Sequence, residues 1–258
     1  MFEINRRALV RGAVCGLAAP LLARTAQAQG LPSTFAGRGE ILRGVDATVT
    51  RIAMAQPHVA MTFDDGPHPN LTPQLLDMLA ARGIRATFYV IGRNAARYPQ
   101  ILQRMVAEGH EIGNHTWSHP SLHGHSDASV LNEVDRTNQA VYAAVGRPPV
   151  TMRPPYGNLY DHQRLMLFHS RGMPTILWSV DPQDWLRPGS SVVASRIVGG
   201  CHAGGVVLAH DIHAATVNAM PAALDGVAGR GFRFVTMSEL IGWPRWDRRR
   251  LRLVQAAS

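Results

Sequence analysis

Short apolar segments alternate along the chain with longer segments whose apolar residues recur every three or four positions. The short segments are "HVAMTF", "ATFYVI", "HEIGN", "VTMR", "PTILWSV", "GVVLAH" and "FRFVT", and they predict seven strands. Strands that alternate with helices in this way are typical of parallel βα units. The pattern therefore predicts an α/β fold whose sheet of about seven parallel strands is barrel-like.

The predicted helices are identified by their apolar faces and by the residues at their ends. In "TPQLLDMLAARG", Leu75, Leu76 and Leu79 share one face and Gly83 marks the end. Further helices are predicted at residues 98–109, 127–145, 161–171, 190–198 and 217–227. The last helix is expected to be interrupted at Pro221, because proline has no N–H group for the helical hydrogen bond.

Residues 1–28 have the layout of an export signal. The paired Arg6 and Arg7 are followed by an apolar run at residues 13–22 and by the small-residue site Ala26–Gln27–Ala28. The arginine pair suggests the twin-arginine route, and the apolar run is too short to span a bilayer core of about 30 Å. We therefore expect cleavage after Ala28, no stable membrane anchor, and a periplasmic or secreted protein.

The rest of the chain divides into three parts, according to where apolar strand and helix patterns alternate regularly. Residues 29–56 are predicted to form an N-terminal lead-in, residues 57–243 a single folded domain, and residues 244–258 a basic C-terminal tail. A length of 258 residues, of which 46% are hydrophobic, suits one domain with a sizeable core.

The chain is basic through arginine alone, since it contains no lysine. The formal net charge is +8, and removing residues 1–28 takes away four arginines and one glutamate, which leaves +5. This balance suits an anionic partner such as a cell-wall polymer. No arginine stripe interleaved with aromatic residues is present, so no nucleic-acid partner is predicted. The sequence leaves the oligomeric state open.

The two cysteines do not predict a disulfide. Cys15 lies in the export signal and would be removed with it, which leaves Cys201 alone in the mature chain. A buried structural thiol is the expectation for Cys201.

Five polar clusters each come directly after a predicted strand. They are "DDG", "NHTWSH", "RPPYG", "DPQDW" and "HDIH". In parallel sheets and barrels the carboxyl ends of the strands meet at one edge, where reacting sites are built. The sequence therefore predicts that the five clusters converge on a single site.

Two of these clusters carry the side chains of a metal site. Asp64 and Asp65 are adjacent carboxylates, which repel each other unless a cation or a hydrogen-bond network holds them, although an Asx turn before Gly–Pro is an alternative. His115 and His119 are four residues apart, a spacing that can bind one ion but can also arise by chance among twelve histidines. Together, two imidazoles and one carboxylate form a three-ligand set with open positions, which is typical of catalytic zinc. Zinc is expected, with cobalt or another divalent ion left open.

The motifs "TFDDG", "HTWSH", "RPPYG", "DPQDW" and "LAH", in this order, resemble those of the polysaccharide deacetylases (carbohydrate esterase family 4, the chitin and peptidoglycan deacetylase group). The resemblance extends from about His58 to Gly242. It implies a distorted (β/α) barrel, in agreement with the alternation of strands and helices, and makes residues 57–243 the catalytic domain.

The resemblance also implies roles for residues of the first three motifs. Asp64 would be the general base, and Asp65 would bind the metal together with His115 and His119. Arg153 would orient Asp64 and favour its charged form, as a neighbouring guanidinium should.

The later motifs would supply the remaining catalytic groups. The backbone N–H of Tyr156 would help to hold the oxyanion, and His210 would be the general acid that protonates the leaving amine. An aspartate of "DPQDW" would raise the pKa of His210, and Asp184 is favoured over Asp181 for this role.

Two residues are implied to form the pocket for the acetyl methyl group, namely Trp185 and Leu208. Ordinary core packing remains an alternative for both. Arg153 could instead lie on the surface, and His210 could do no more than hydrogen-bond a neighbouring loop.

The function implied by the resemblance is that of an exported, metal-dependent hydrolase. It would remove N-acetyl groups from N-acetylglucosamine-type residues of peptidoglycan or a chitin-like glycan and release acetate. Hydrolysis of an O-acetyl ester or of a non-sugar amide at the same site is an alternative, and an inactive sugar-binding relative is another.

Overall fold

The structure is a computed structural model that describes residues 47–243. The predicted export signal at residues 1–28, most of the lead-in and the basic tail at residues 244–258 lie outside the described residues. No helix between residues 47 and 243 is both long enough and apolar enough to cross a bilayer.

Strands and helices alternate through the described residues, as the sequence predicts. The strands are β1 (Thr48–Val49), β2 (His58–Asp64), β3 (Thr87–Val90), β4 (Glu111–Asn114), β5 (Thr175–Ile176), β6 (Gly205–His210) and β7 (Arg233–Phe234). The helices are α1 (Leu71–Ala80), α2 (Gly92–Arg97), α3 (Pro99–Ala107), α4 (Asp127–Val145), α5 (Asp161–Arg171), α6 (Ser190–Gly200), α7 (Ala214–Gly229) and α8 (Met237–Ile241).

The sheet is centred on β2, which is buried from its second residue to its last. β3 and β6 pair with β2, β4 pairs with β3, and β7 pairs with the start of β2. β1 pairs with β5, and every one of these pairings is parallel. A strand buried on both faces reads as a continuous apolar run, which is why "HVAMTF" shows no alternation. The predicted parallel α/β architecture is confirmed.

Single bridges continue the sheet between β4 and β6. Met152 bridges Asn114 on one side and Thr175 on the other, and Val180 bridges Val207 of β6. The strands thus follow a barrel-like course in which these links are isolated bridges instead of continuous ladders. The predicted strand "VTMR" is reduced to the bridge at Met152.

Three short elements lie where no element was predicted, and one of them is the five-residue helix α8. β1 falls inside the predicted lead-in, yet Val49 is buried and pairs with Ile176 of β5. α2 follows β3 and is only six residues long. Such short elements have too few residues for a periodic pattern to be visible in the sequence.

The predicted interruption at Pro221 is wrong, because α7 runs unbroken from Ala214 to Gly229 with the proline inside it. Met220, Ala223 and Leu224 on the same helix are buried in the main core. Burial of this apolar face offsets the cost of an internal proline, which is roughly 3 kcal/mol.

The main core lies between the sheet and helices α1, α3, α6 and α7. Phe63 of β2 stacks on Phe88 of β3, with ring centroids 5.3 Å apart. Cys201, directly after α6, is buried in the same core, and burial raises the pKa of its thiol to about 11 despite the opposing charge of Arg230. The expectation of a buried thiol at Cys201 is met.

Candidate active site

The carboxyl ends of β2, β6 and β4, which belong to one sheet, bring the predicted site residues together. Asp64 is the last residue of β2 and pairs in register with His210, the last residue of β6. His115 directly follows β4, and Arg153 directly follows the bridge at Met152. The convergence expected from the five polar clusters is therefore present in the fold.

Asp65, His115 and His119 direct one ligand atom each toward a common point. The Oδ1 atom of Asp65 lies 3.1 Å from Nε2 of His119 and 3.4 Å from Nε2 of His115, and candidate ligand atoms of the three residues lie within 4.8 Å of one another. Oδ1 is buried, and the contacts lack hydrogen-bond geometry, so this atom has no hydrogen-bond partner among the described residues. A buried carboxylate oxygen without a hydrogen bond is costly unless a cation binds it. The donor set fits a divalent metal ion.

The backbone of Asp65 is held in a conformation that side chains rarely adopt, with φ at 74°. Asn94 of α2 donates a hydrogen bond to the Asp65 carbonyl oxygen at 3.0 Å, and the Ile91 N–H donates to the Gly66 carbonyl oxygen at 3.0 Å. Burial raises the pKa of Asp65, but His115 and His119 outweigh it and hold the pKa well below its usual range. The carboxylate is therefore ionised and ready to bind a cation.

The ring of His115 is oriented by the backbone of Arg153. Nδ1 of His115 lies 2.7 Å from the Arg153 carbonyl oxygen, so this nitrogen donates the hydrogen bond and Nε2 is left as a lone-pair ligand. His119 has φ at 63°, and its N–H donates to the Thr116 hydroxyl at 3.2 Å.

Glu133 of α4 holds the turn between the two histidines. Its carboxylate accepts the N–H groups of Trp117 at 2.9 Å and Ser118 at 2.8 Å, and the Ser118 hydroxyl at 3.0 Å. Glu133 was not identified from the sequence. Its position on a helix well beyond the histidines carries no local signal, since only the packing of α4 brings it back to the turn.

Asp64 stands beside the three-ligand set and is bound by Arg153. The guanidinium donates to Oδ1 of Asp64 at 2.7 Å, and Oδ2 lies 3.8 Å from Nε2 of His115. Arg153 is 0% exposed and also donates to the Thr62 hydroxyl and to the backbone carbonyls of Ile176 and Leu177. A surface position for Arg153 is therefore wrong.

His210 is paired with Asp184, on a second wall of the site. Nδ1 of His210 lies 2.8 Å from Oδ1 of Asp184, whose Oδ2 accepts the His210 N–H and the Thr216 hydroxyl, each at 2.8 Å. Burial lowers the pKa of His210, but Asp184 and the charges of Asp64 and Asp65 outweigh it and raise the pKa to about 9. Asp181 is exposed and accepts the Gln183 N–H at 2.7 Å instead of contacting His210.

One cavity of about 560 Å³ is lined by the site residues Asp64, Asp65, His115, His119 and His210. Trp185, which is 52% exposed, and the buried Leu208 both line it, as does Tyr156 with φ at 60°. The alternative that Trp185 packs in the core is therefore wrong. Trp178 also lines the cavity, but its position within a predicted strand resembles that of a core residue, so the sequence did not identify it.

Comparison with known proteins places the chain in a family. The family model described as "Polysaccharide deacetylase" matches residues 51–175. The chitooligosaccharide deacetylase of Sinorhizobium fredii is 40% identical over 165 residues, which cover 64% of this chain and 76% of that protein. The chain belongs to the polysaccharide deacetylase family. The resemblance on the five motifs is thereby confirmed.

Further members of the deacetylase family match over a longer part of the chain. The peptidoglycan-N-acetylglucosamine deacetylase PgdA of Listeria monocytogenes is 37% identical over 190 residues, or 74% of this chain, and the chain spans only 40% of the length of PgdA. The crystal structure of the Bc1960 peptidoglycan N-acetylglucosamine deacetylase superposes with a TM-score of 0.73 at 31% identity, covering 76% of this chain and 94% of that one. The deacetylase-type distorted barrel is therefore the fold of this chain.

Proposed function

We propose that this deacetylase-family chain is a metal-dependent hydrolase that removes N-acetyl groups from N-acetylglucosamine-type residues of a glycan. The observation that carries the proposal is the buried Oδ1 of Asp65, which faces two imidazole nitrogens without a hydrogen bond. Beside it, Asp64 is bound to Arg153 and His210 to Asp184, so a carboxylate and an imidazole are available as separate proton-transfer groups.

Asp65, His115 and His119 would hold the metal, and zinc suits two imidazoles with one carboxylate. When bound, a divalent ion supplies Lewis acidity toward the acetamide carbonyl. The ion is proposed to be zinc, although the same donors also accept cobalt.

Asp64 is the proposed general base. It takes a proton from the attacking water, while Arg153 fixes the carboxylate with a 2.7 Å hydrogen bond and leaves Oδ2 toward the metal ligands. The Tyr156 N–H is the proposed donor to the developing oxyanion, since its residue lines the cavity and its ring lies 4.9 Å from that of His119.

His210 is the proposed general acid. Nδ1 of His210 is hydrogen-bonded to Asp184. Nε2 is therefore free to donate a proton to the amine nitrogen as the C–N bond breaks. Water adds to the carbonyl carbon, and the products are acetate and the free amine. Trp185 and Leu208 are the proposed contacts of the acetyl methyl group, supported by their place on the cavity wall.

The peptidoglycan and chitooligosaccharide deacetylases among the relatives support two glycans as substrates, peptidoglycan and chitooligosaccharides. We propose residues 57–243 as the catalytic domain and residues 1–28 as a removable export signal, which would place the enzyme in the periplasm or outside the cell, on its glycan substrate. The basic composition is compatible with an anionic wall.

Acetate release tests the proposal. The wild type is assayed on chitooligosaccharides, peptidoglycan and acetylated xylan, before and after chelation and with zinc added back. Asp64→Asn should lower kcat by about 10²- to 10⁴-fold, because it removes the base. Asp161→Asn is the matched control, since Asp161 is an exposed carboxylate on α5 away from the cavity.

Three results would contradict the proposal in different ways. Activity that survives both chelation and Asp64→Asn contradicts the mechanism. Release from acetylated xylan alone identifies an O-acetyl esterase. Glycan binding without turnover under any metal identifies an inactive sugar-binding relative.

A further inference from the structure

A second cavity of about 560 Å³ adjoins the first one at the metal ligands. Asp65, His119, Ile212 and His213 line both cavities. The second cavity is therefore within reach of the substituents of a substrate whose acetamide lies at the three-ligand set.

Two arginines from distant parts of the chain line the second cavity. Arg93 lies on α2, and Arg187 follows the 3₁₀ turn Asp184–Leu186. The Arg187 N–H donates to the Asp184 carbonyl oxygen at 2.8 Å, so the turn that supplies the partner of His210 also positions Arg187. Arg187 has φ at 55°, a conformation rarely adopted by side-chain-bearing residues.

Neither guanidinium has a hydrogen bond or an ion pair with any residue between 47 and 243, and both residues are exposed. Several other arginines of the described fold are neutralised by carboxylates. Ion pairs with carboxylates occupy Arg82, Arg104 and Arg171. Among residues 47–243, Asp65 is the one carboxylate that lines the second cavity, and it belongs to the proposed metal site. Two cations without a partner beside a reacting centre attract an anionic group of the substrate.

The chemistry of the glycan indicates which anion this is. In an N-acetylglucosamine residue, the carbon next to the one bearing the acetamide carries a neutral hydroxyl. In an N-acetylmuramic acid residue, the same carbon carries a lactyl ether that ends in a carboxylate. Only the second sugar places a negative charge close to the reacting acetamide.

We propose that Arg93 and Arg187 form an anion subsite that binds a carboxylate of the glycan close to the reacting acetamide, and that this subsite makes muramic-acid-containing glycans better substrates than neutral ones. The inference rests on the proposed function. Guanidinium groups suit this role because their planar set of donors matches a carboxylate in geometry.

The test compares two glycans that differ only at the lactyl group, which is charged in one and neutral in the other. One is a peptide-free oligosaccharide of alternating N-acetylglucosamine and N-acetylmuramic acid, and the other is the same oligosaccharide with its lactyl carboxylates converted to methyl amides. The ratio of kcat/KM for the acid to that for the amide is measured for the wild type, Arg93→Gln and Arg187→Gln. Arg97→Gln is the matched control, because Arg97 lies on α2 against the Tyr98 ring and does not line the cavity.

We expect the wild type to favour the acid by about tenfold, as a charge-assisted hydrogen bond would provide, with the difference mainly in KM. Each cavity variant should bring the ratio toward one, and Arg97→Gln should keep the wild-type ratio. Acetate release by the wild type with a ratio of one, or a ratio that both cavity variants retain, contradicts this inference alone. No acetate from either glycan or from chitooligosaccharides contradicts the proposed function as well.

Discussion

Glu133 supports the two histidines from behind, because its carboxylate accepts three hydrogen bonds from the Trp117–Ser118 turn. In Glu133→Gln an amide NH₂ replaces one acceptor oxygen, so the turn loses part of this support and the ligands lose their fixed spacing. We expect zinc to bind about 10- to 100-fold more weakly, as is usual when groups behind metal ligands are changed.

Zinc affinity by chelator competition measures this effect, and thermal melting of the metal-free protein separates it from unfolding. Asp135→Asn is the control, since Asp135 is a carboxylate of the same helix that pairs with Arg171 on the outside. Unchanged zinc affinity in Glu133→Gln would show that the turn keeps its shape without the carboxylate.

The pairing of His210 with Asp184 predicts the alkaline limit of activity. Because the pKa of His210 is raised to about 9, its ring stays protonated and able to donate up to that pH, and kcat/KM should fall as the pH rises through it. In Asp184→Asn the hydrogen bond and charge of Asp184, the largest contributions that raise the pKa of His210, are lost while burial still lowers it. The alkaline limb should then move to lower pH, with a loss at pH 8 of about tenfold or more.

Full pH profiles of kcat/KM check this prediction, with Asp181→Asn expected to keep the wild-type alkaline limb. Asp181 makes its hydrogen bond to the Gln183 N–H and does not contact His210. An alkaline limb that stays in place in Asp184→Asn would remove His210 from the role of proton donor.

At the scale of elements, a hydrogen bond joins the start of α1, directly after the connection from β2, to the residue that follows β6. The His68 N–H donates to the Thr72 hydroxyl at 2.7 Å, and that hydroxyl donates to the buried carboxylate of Asp211. A Cβ added at Gly66 would lie 2.5 Å from Oδ1 of Asp211. The backbone next to Asp65 is therefore packed directly against this carboxylate.

Gly66→Ala should accordingly destabilise the fold by about 1–3 kcal/mol through overpacking, and should weaken metal binding by displacing Asp65. Gly199→Ala is a matched control of opposite sign, because no atom lies within 4 Å of its added Cβ and it belongs to α6. It should stabilise the protein by roughly 0.5–1 kcal/mol. Urea unfolding measures the change in the free energy of unfolding of both variants. Equal urea midpoints for Gly66→Ala and Gly199→Ala would contradict the packing argument.

At the scale of the whole molecule, acid stability depends on a histidine far from the site. His110 is buried, and its Nδ1 accepts the Ala86 N–H at 3.1 Å, which requires that nitrogen to be unprotonated. Burial lowers its pKa from 6.5 to about 4, against the opposing pull of Glu108. Between these values the unfolded chain binds a proton that the native protein does not. The free energy of unfolding should therefore fall by about 3 kcal/mol as the pH falls from 6.5 to 4.

His110→Asn isolates this contribution, because an asparagine oxygen can still accept the Ala86 N–H but does not titrate. Urea unfolding at several pH values should give a flatter dependence for the variant than for the wild type. Parallel curves for the two proteins would assign the acid sensitivity to other groups.

The sequence predicts the strands and the site well where a motif and a strand end coincide. Asp64, His115 and His210 come directly at or after buried strands, so parallel pairing alone is enough to bring them together. Glu133 and Arg93 could not be assigned in this way, because their positions at the site depend on how α4 and α2 pack. The continuous α7 escaped prediction for a related reason, since tertiary burial outweighed the local preference of Pro221.

Because Cys201 is buried, the rate at which its thiol is modified measures local opening of the fold. With its pKa raised to about 11 and its side chain in the core, the thiol is both inaccessible and almost wholly uncharged at neutral pH. A maleimide dye should therefore modify this position only during excursions that separate α6 from the sheet. The rate of dye incorporation would then report how often α6 separates from the sheet.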